Sequence, residues 1–299
     1  VNKAQPFVSI IVPSFNHRHY VGTLIESIYS QSYKNFEVII LDDGSKDGSP
    51  DYLKELSQKY NFQLILKENE GLCKTLNRGL EIAKGAYIVM IASDDILMPK
   101  RLEEQVEYLE QNPQVDVVGG CMKVIDPHGI ECGEKIPGIF GSITFKQMVQ
   151  INRLFAPSVM VRANVFSKFG YYPEDSILED YYLWLKILHA GGTIHNVKKF
   201  WVYYRIFNVD LEKKFLWYYK GAHQALLPYK DISLVANQLH RIKFYFLIKV
   251  TLLLGRNALK KYGEYLQSIN IIFRSAVLLT AMLSVRTRGQ ILKKLNLKT

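Results

Sequence analysis

The chain has 299 residues but only 3 cysteines, Cys73, Cys121 and Cys132. They form no CxxC pair and cannot all pair within one chain, which fits packing roles in a reducing compartment. No N-terminal apolar stretch carries a basic lead and a small-residue cleavage site, so no signal peptide is expected and the protein reads as cytoplasmic. Long hydrophobic runs are also missing. Phe244 to Leu254 is interrupted by Lys249 and Ser268 to Ser284 by Arg274, so neither gives the clean span of about 20 apolar residues that a transmembrane helix needs. There is no internal repeat and no low-complexity tract. Acidic residues are almost absent from one region: residues 241–299 hold 12 Lys and Arg against 1 acid, whereas residues 1–240 hold 26 against 27. The formal charge of +10 therefore belongs to the tail, and a local basic surface implies a local anionic partner.

Against these absences stand two apolar runs, Phe36 to Leu41 and Ala86 to Ala92, that end in acid pairs, Asp42 with Asp43 and Asp94 with Asp95. In open α/β sheets ligands bind beyond the carboxyl ends of parallel strands, so such a concentration of carboxylates predicts a nucleotide and metal site. The surrounding pattern agrees. Phe7 to Val12 reads as a buried strand stopped by Pro13, and Val21, Leu24, Ile25 and Ile28 recur at helical spacing. Asp47 and Ser49 before Pro50 resemble a helix start, and that helix is expected to end near Tyr60. Phe62 to Leu66 is a third strand, Gly71 to Ala83 a helix, and Pro99 opens another helix to Gln111.

This alternation predicts a parallel sheet covered on both faces. Two short strands, Val115 to Val118 and Met122 to Ile125, followed by a turn at Asp126 to Gly129, mark where the sheet is expected to become mixed. Asp180 to Ala190 is the clearest later helix and Phe200 to Ile206 the clearest later strand. Beyond Phe215 the chain reads as mostly helix. The expected organisation is a domain over 1–214, with a nucleotide half over 1–120 and an acceptor half over 121–214, then a basic helical region over 215–299.

Asp95 is a candidate ligand for a hard divalent cation such as Mg²⁺ or Mn²⁺, which takes few protein oxygens and completes its shell with phosphate and water. Its duty would be to stabilise a departing diphosphate. Asp94 and Asp43 would accept hydrogen bonds from ribose hydroxyls and a base NH; the bland alternative for each is a helix cap or turn residue. Lys74, near the start of a helix after Gly71, is placed to help exposed amides hold a phosphate. A third acid pair, Glu179 and Asp180, opens a helix, where the dipole by itself favours carboxylates. The functional reading makes Asp180 a general base acting on an attacking hydroxyl. His17 and His19 read as solvated loop residues.

Taken in order, Phe7-Val-Ser-Ile-Ile-Val-Pro-Ser-Phe-Asn16, Val38-Ile-Ile-Leu-Asp-Asp-Gly-Ser45, Asn69-Glu-Gly-Leu72, Ser93-Asp-Asp95 and Leu178-Glu-Asp180 resemble a family 2 glycosyltransferase of the GT-A fold, of the bacterial glycan-assembly type. The resemblance covers about residues 5–207. It implies an α/β Rossmann-like mixed sheet flanked by helices, and an inverting, metal-assisted transfer of sugar from a nucleotide donor, UDP-linked by preference, to a hydroxyl of a glycan or lipid-linked acceptor. It further implies that Asp180 is the base and Asp95 the metal ligand. Pro13 and Phe15 would line the base pocket, Asp43 would bond the base, Asp94 the ribose and Lys74 the diphosphate, with Glu179 on the acceptor. Pro157 to Met160 and Gly170 to Tyr172 match loops bordering the acceptor. Two departures stand out. Ala92 lies where many relatives carry a further Asp, and Phe207 where they carry His, so no histidine ligand is assigned. Gln238-Leu-His-Arg241 lacks the Trp that completes the processive synthase motif, and one sugar per acceptor is expected.

The basic tail suits peripheral contact with anionic lipid on the inner face of the cytoplasmic membrane through 241–299. The alternative is a helical pair packed on the catalytic domain or on another subunit. A nucleotidyltransferase would show a Gly-rich basic loop near the first strand, and Pro13-Ser-Phe-Asn-His17 is not one. A non-catalytic nucleotide-binding or scaffold module is the remaining alternative. No nucleic-acid partner is expected, because the tail's aromatics are not interleaved with its basic residues as in a recognisable module.

Overall fold

The structure is a computed structural model that describes residues 5–254, 257–258, 261–262, 265, 271–283, 287–288 and 290–291. The chain divides into two compact units, one of residues 1–175 and 179–207, the other of residues 176–178 and 208–299.

The first unit holds a mixed ten-stranded sheet. Its elements are β1 (Val8–Ser14), α1 (Arg18–Tyr29), β2 (Phe36–Asp43), α2 (Ser49–Lys59), β3 (Gln63–Lys67), α3 (Leu72–Ile82), β4 (Tyr87–Met90), β5 (Ile96–Leu97) and α4 (Arg101–Gln111). There follow β6 (Val117–Ile125), β7 (Glu131–Lys135), β8 (Gly141–Ile143), α5 (Phe145–Gln150), β9 (Met160–Arg162), α6 (Asn164–Phe169), α7 (Glu179–His189) and β10 (Ile194–Arg205). The strand order is β3-β2-β1-β4-β9-β6-β10-β5, with β7 beside β6 and β8 beside β10. The first four strands are parallel, whereas β9 is antiparallel to both β4 and β6. The order reverses at β1, whose neighbours are β2 on one side and β4 on the other, and a crevice opens at such a point beyond the carboxyl ends.

The parallel strands are near-continuous apolar runs because helices cover both faces. Val8, Ile10 and Val12 of β1 meet Val21, Leu24, Ile25 and Ile28 of α1 in one core with Val38, Ile40 and Val89. Pro13 does not stop β1: it pairs in register with Leu41, and the strand runs to Ser14. The Ile11 carbonyl accepts from Ile91, so residue 13 also faces the β4 side, but β4 pairing ends at Met90. The missing proline amide therefore has no ladder partner to disappoint.

The two short strands expected over 115–125 are one strand, β6. Gly119 and Gly120 continue it instead of turning, because neighbours approach too closely for a side chain. A Cβ on Gly119 would lie 2.3 Å from Leu154 Cδ1 and one on Gly120 2.6 Å from the Lys199 carbonyl oxygen. The Ser158 hydroxyl donates to the Gly120 carbonyl and accepts from its amide. Pro157 to Met160 accordingly leads into the core, where Ser158 and Met160 are fully buried. The turn after β6 forms as expected, with the Asp126 carboxylate accepting from the amides of His128 and Ile130.

The second unit is helical: α8 (Leu211–Leu226), α9 (Ser233–Leu254) and a further helix, Ile271–Met282. Asp210 caps α8 by accepting from the amides of Glu212 and Lys213. Phe215, Tyr219, Phe246, Leu247, Val250, Tyr262 and Val277 form the core of this unit. Tyr219 and Phe246 stack with ring centroids 4.8 Å apart. No helix among the described residues is long and apolar enough to cross a membrane. Residues 255–256, 259–260, 263–264, 266–270, 284–286, 289 and 292–299 of the basic tail lie outside the described residues.

Candidate active site

The site is built where β1, β2 and β4 end, closed from the other side by β10 and the start of α7. Asn16, just past β1, holds a left-handed backbone with φ of 55°, a conformation asparagine tolerates. Its amide donates to Ser45 Oγ and its side-chain carbonyl accepts from the Lys46 amide, so the loops after β1 and β2 are stitched together. Pro13 is half-buried and Phe15 is 46% exposed at this rim.

Asp42 and Asp43 have different partners. Asp42 is buried and accepts from the amide and hydroxyl of Ser45. Asp43 accepts from Lys67 Nζ and from the amides of Glu70 and Gly71, and its carbonyl accepts from Asn69. Burial opposes the Asp43 charge, but Lys67 and the two amides outweigh it and hold the carboxyl below its usual range. Both acids of the first pair are thus hydrogen-bonded by their own loops, and Asp43 has a cation of its own in Lys67. Lys74, one turn into α3, reaches Glu174 at 3.4 Å on the surface.

The second pair is different. Asp95 is 1% exposed. Its Oδ1 accepts from the Arg205 amide at 2.9 Å, while its Oδ2 is buried with no hydrogen-bond partner. Burial and then the neighbouring Asp94 push its carboxyl well above the usual value, opposed by Arg205 and Arg101. A buried acceptor without a donor is costly, and carboxylates so placed are held by a cation or stay protonated. The hard oxygen of Asp95 with the Asp94 carboxylate alongside fits a divalent ion whose other ligands come from phosphate and water. Among the described residues no three His, Cys, Asp or Glu side chains cluster as a full protein cage.

Arg205 fixes this turn. Its Nε donates to the Asp94 carbonyl at 2.8 Å, and its Nη1 to the carbonyls of Asp126 and Pro127 at 2.9 and 3.2 Å. The guanidinium lies 4.6 Å from the centroid of Tyr20, whose ring also meets Phe207 edge-on at 5.6 Å. Phe207 thereby completes an aromatic support behind Arg205. His17, set aside as a solvated loop residue on sequence grounds, joins the site: its Nδ1 is 2.8 Å from Ser93 Oγ and 3.8 Å from Asp94 Oδ1.

Glu179 and Asp180 open α7, which is anchored by buried Tyr181, Leu183, Trp184, Leu185 and Ile187. Asp180 accepts from the Tyr181 amide at 2.6 Å and from Asn152 Nδ2 at 3.4 Å. Burial raises the carboxyls of both acids, Glu179 to about 7 with the Asp180 charge adding to it. Tyr172 is buried beside them and donates to Met90 Sδ, and its main chain exchanges two hydrogen bonds with Asn77 of α3.

Half-buried Tyr204 joins the two halves. Its phenol is raised to about 12 by burial and then by Asp95, Asp94 and Asp180, so all three carboxylates act on one hydroxyl. Asp94, Asp95 and Asp180 thus lie within electrostatic reach of one phenol, and Glu179 precedes Asp180 in the chain. Sequence reasoning assigned no role to Tyr204, Arg205, Asn152 or His17. Tyr204 and Arg205 end the last apolar strand as the acid pairs end theirs, and that position was the available signal. Asn152 had none.

An open α/β sheet with acids at strand ends around its switch point, joined to antiparallel strands, is the architecture of GT-A transferases. Residues 9–153 match the family described as Glycosyl transferase family 2. The chain is 30% identical over 254 residues to the putative glycosyltransferase EpsE of Bacillus subtilis, covering 79% of this chain and 89% of that protein. It is 26% identical over 232 residues to the putative teichuronic acid biosynthesis glycosyltransferase TuaG of Bacillus subtilis, covering 77% and 89%. Among solved structures, S. aureus TarS 1–349 in complex with UDP-GlcNAc shares the fold with a TM-score of 0.65 at 18% identity, covering 96% of this chain and 91% of that one. The mannosyltransferase PcManGT from Pyrobaculum calidifontis, in complex with GDP-Man and Mn²⁺, does so with 0.63 at 18%, covering 95% and 88%. The chain belongs to the family 2 glycosyltransferases and is an enzyme of GT-A fold.

Proposed function

We propose that the enzyme moves a sugar from a UDP-sugar to a hydroxyl of a glycan or lipid-linked acceptor with inversion at the anomeric carbon. The observation that carries this reading is Asp95 at the strand ends of a family 2 fold, with one oxygen held by the Arg205 amide and the other buried without a partner. A donor end and a base end must lie on opposite sides of one reacting carbon. The UDP-GlcNAc complex of TarS and the role in TuaG's name support the donor and acceptor classes.

In this reading Pro13 and Phe15 contact the base, Asp43 accepts its NH and fixes the loop through Glu70 and Gly71, and Asp94 accepts from the ribose. Lys74 reaches the diphosphate after leaving Glu174, and Glu179 binds the acceptor. Asp180 takes the proton of the acceptor hydroxyl as its oxygen bonds to the anomeric carbon; the bond from that carbon to the phosphate oxygen breaks, and the nucleoside diphosphate leaves. Mn²⁺ or Mg²⁺ held by Asp95 would supply charge stabilisation to that leaving group. Asn152 steadies the base by donating to it. The tail over 241–299 would make the peripheral contact with the cytoplasmic membrane where lipid-linked acceptors reside.

Calorimetry with UDP, GDP as control, with and without Mn²⁺, tests the donor site. Metal-dependent UDP binding supports the reading and justifies a screen of UDP-sugars by UDP release. Absence of binding to either nucleotide would overturn it in favour of a non-catalytic module.

A further inference from the structure

We propose that the exposed face of α8 is a lipid-contact surface for anionic phospholipid headgroups. The proposal deepens the membrane reading above and rests on it, and it extends the contact from the 241–299 tail to a helix that precedes it.

With 100° between successive helical residues, Lys213, Trp217 and Lys220 form one stripe and Lys214 and Tyr218 the stripe beside it. All five are exposed, Trp217 at 52% and Tyr218 at 46%. The opposite side of the helix, Phe215, Tyr219, Ala222, Ala225 and Leu226, is buried, so the orientation of the exposed face is fixed by the unit's own core.

The face is cationic without local compensation. Among the described residues Lys213, Lys214 and Lys220 have no ion-pair partner. The two acids nearest them are engaged elsewhere: Asp210 caps the helix, and Glu212 binds Lys261 and Tyr262. Over residues 208–299 the sequence has 16 Lys and Arg against 4 acids, so the unit that carries the face is itself strongly cationic. Lysines beside amphipathic rings match the two layers of an anionic bilayer surface, charge outermost and an interfacial zone that takes Trp and Tyr beneath. An RNA backbone would answer the lysines equally, but it gives no reason for two neighbouring rings to be exposed between them without an arginine on the face.

The chain supplies its own reporter. Of its 3 tryptophans, Trp184 and Trp201 are 1% and 2% exposed, leaving Trp217 as the one open to water. Full-length protein would be titrated with phosphatidylserine/phosphatidylcholine vesicles and with phosphatidylcholine alone, reading co-sedimentation and tryptophan emission. Binding to the anionic vesicles with a blue shift is expected, and W217F should abolish the shift. At about 1 kcal/mol per lysine near such a surface, equivalent to about fivefold each, K213Q/K214Q/K220Q should weaken partition by about two orders of magnitude. UDP binding and thermal midpoint serve as controls and should not move. If the parent binds no vesicles, the membrane reading and this proposal fall together. If it binds and the α8 variants bind as well as the parent, the tail is the contact and the α8 proposal alone is overturned. Salt-sensitive binding to RNA without vesicle binding would overturn the lipid assignment.

Discussion

The main-chain amide of Arg205 donates to Asp95 Oδ1 at 2.9 Å across 110 residues of sequence, and leaves Asp95 Oδ2 without a partner. One oxygen of the carboxylate is thereby committed to the last strand of the sheet and the other is left for a ligand. Much of the behaviour expected of the site follows from this division.

Asp95→Asn keeps the shape and the bond to Arg205 but removes the charge. UDP affinity measured with Mn²⁺ should fall by an order of magnitude or more, to the metal-free level of the parent. The same variant should melt no lower than the metal-free parent, because an amide is cheaper to bury than an unpaired carboxylate. Metal-dependent UDP binding that survives the change would remove Asp95 as a ligand.

Arg205→Ala leaves the carbonyls of Asp94 and Pro127 without their donor and that of Asp126 with the Gly129 amide alone, while keeping the amide bond to Asp95. Lost charge-assisted hydrogen bonds of this kind cost about 1.5 to 3 kcal/mol each at most, and here they are shared by one buried side chain, so a total of about 3 kcal/mol is expected in denaturant unfolding. The half-saturating Mn²⁺ concentration for transfer should rise more than the KM for donor measured at saturating Mn²⁺. A change in stability with an unaltered metal requirement would make Arg205 a purely structural residue.

Asp180→Asn should lower kcat by about 10² to 10⁴, the range for loss of a general base, with UDP affinity preserved. Asn152→Ala, which removes the donor to Asp180, should have a smaller effect of the same sign. Full activity in Asp180→Asn would sink the base assignment.

The raised carboxyls of Glu179 and Asp180 have a pH consequence whose sign is fixed. A group whose folded pKa exceeds its unfolded value binds more protons in the folded state, so its contribution to stability is lost as pH rises from the unfolded value to the folded one. For Glu179 that window runs from 4.5 to about 7. Glu179→Gln should therefore gain stability relative to the parent as pH rises through this window, by about 2 kcal/mol at pH 7.5 after allowing for partial exposure. Urea midpoints at pH 4.5 and 7.5 measure it; a parent-to-variant difference that does not change with pH would contradict the shift. Activity in the parent should fall as pH drops through a value above the ordinary 3.8 of an aspartate, because Asp180 must be ionised to accept a proton.

The parallel half of the sheet was legible because β1, β2 and β4 are mostly buried and are written as near-continuous apolar runs. The antiparallel half was harder to read. β5 has two residues, β8 three and β9 three, too short to carry a period. Gly119 and Gly120 looked like a break because glycine marks both turns and close approaches, and only the positions of Leu154 and Lys199 show that here it is the latter.

For the site, residue type and strand end singled out Asp43, Asp94 and Asp95, whereas Glu179 and Asp180, which a helix start favours in any case, were singled out with the help of the resemblance to family 2. The sequence by itself thus determined which acids are candidates for the chemistry and in what order they occur. Only the tertiary structure decided how each is held: Asp42 and Asp43 accept from Ser45, Lys67 and loop amides, whereas one oxygen of Asp95 is left without a partner. For Asp43 and Asp95 that difference depends on donors brought from 24 to 110 residues away. Spacing along a chain carries no information about such partners; the crossing of β10 beside β6 and the register of β1 on β2 do.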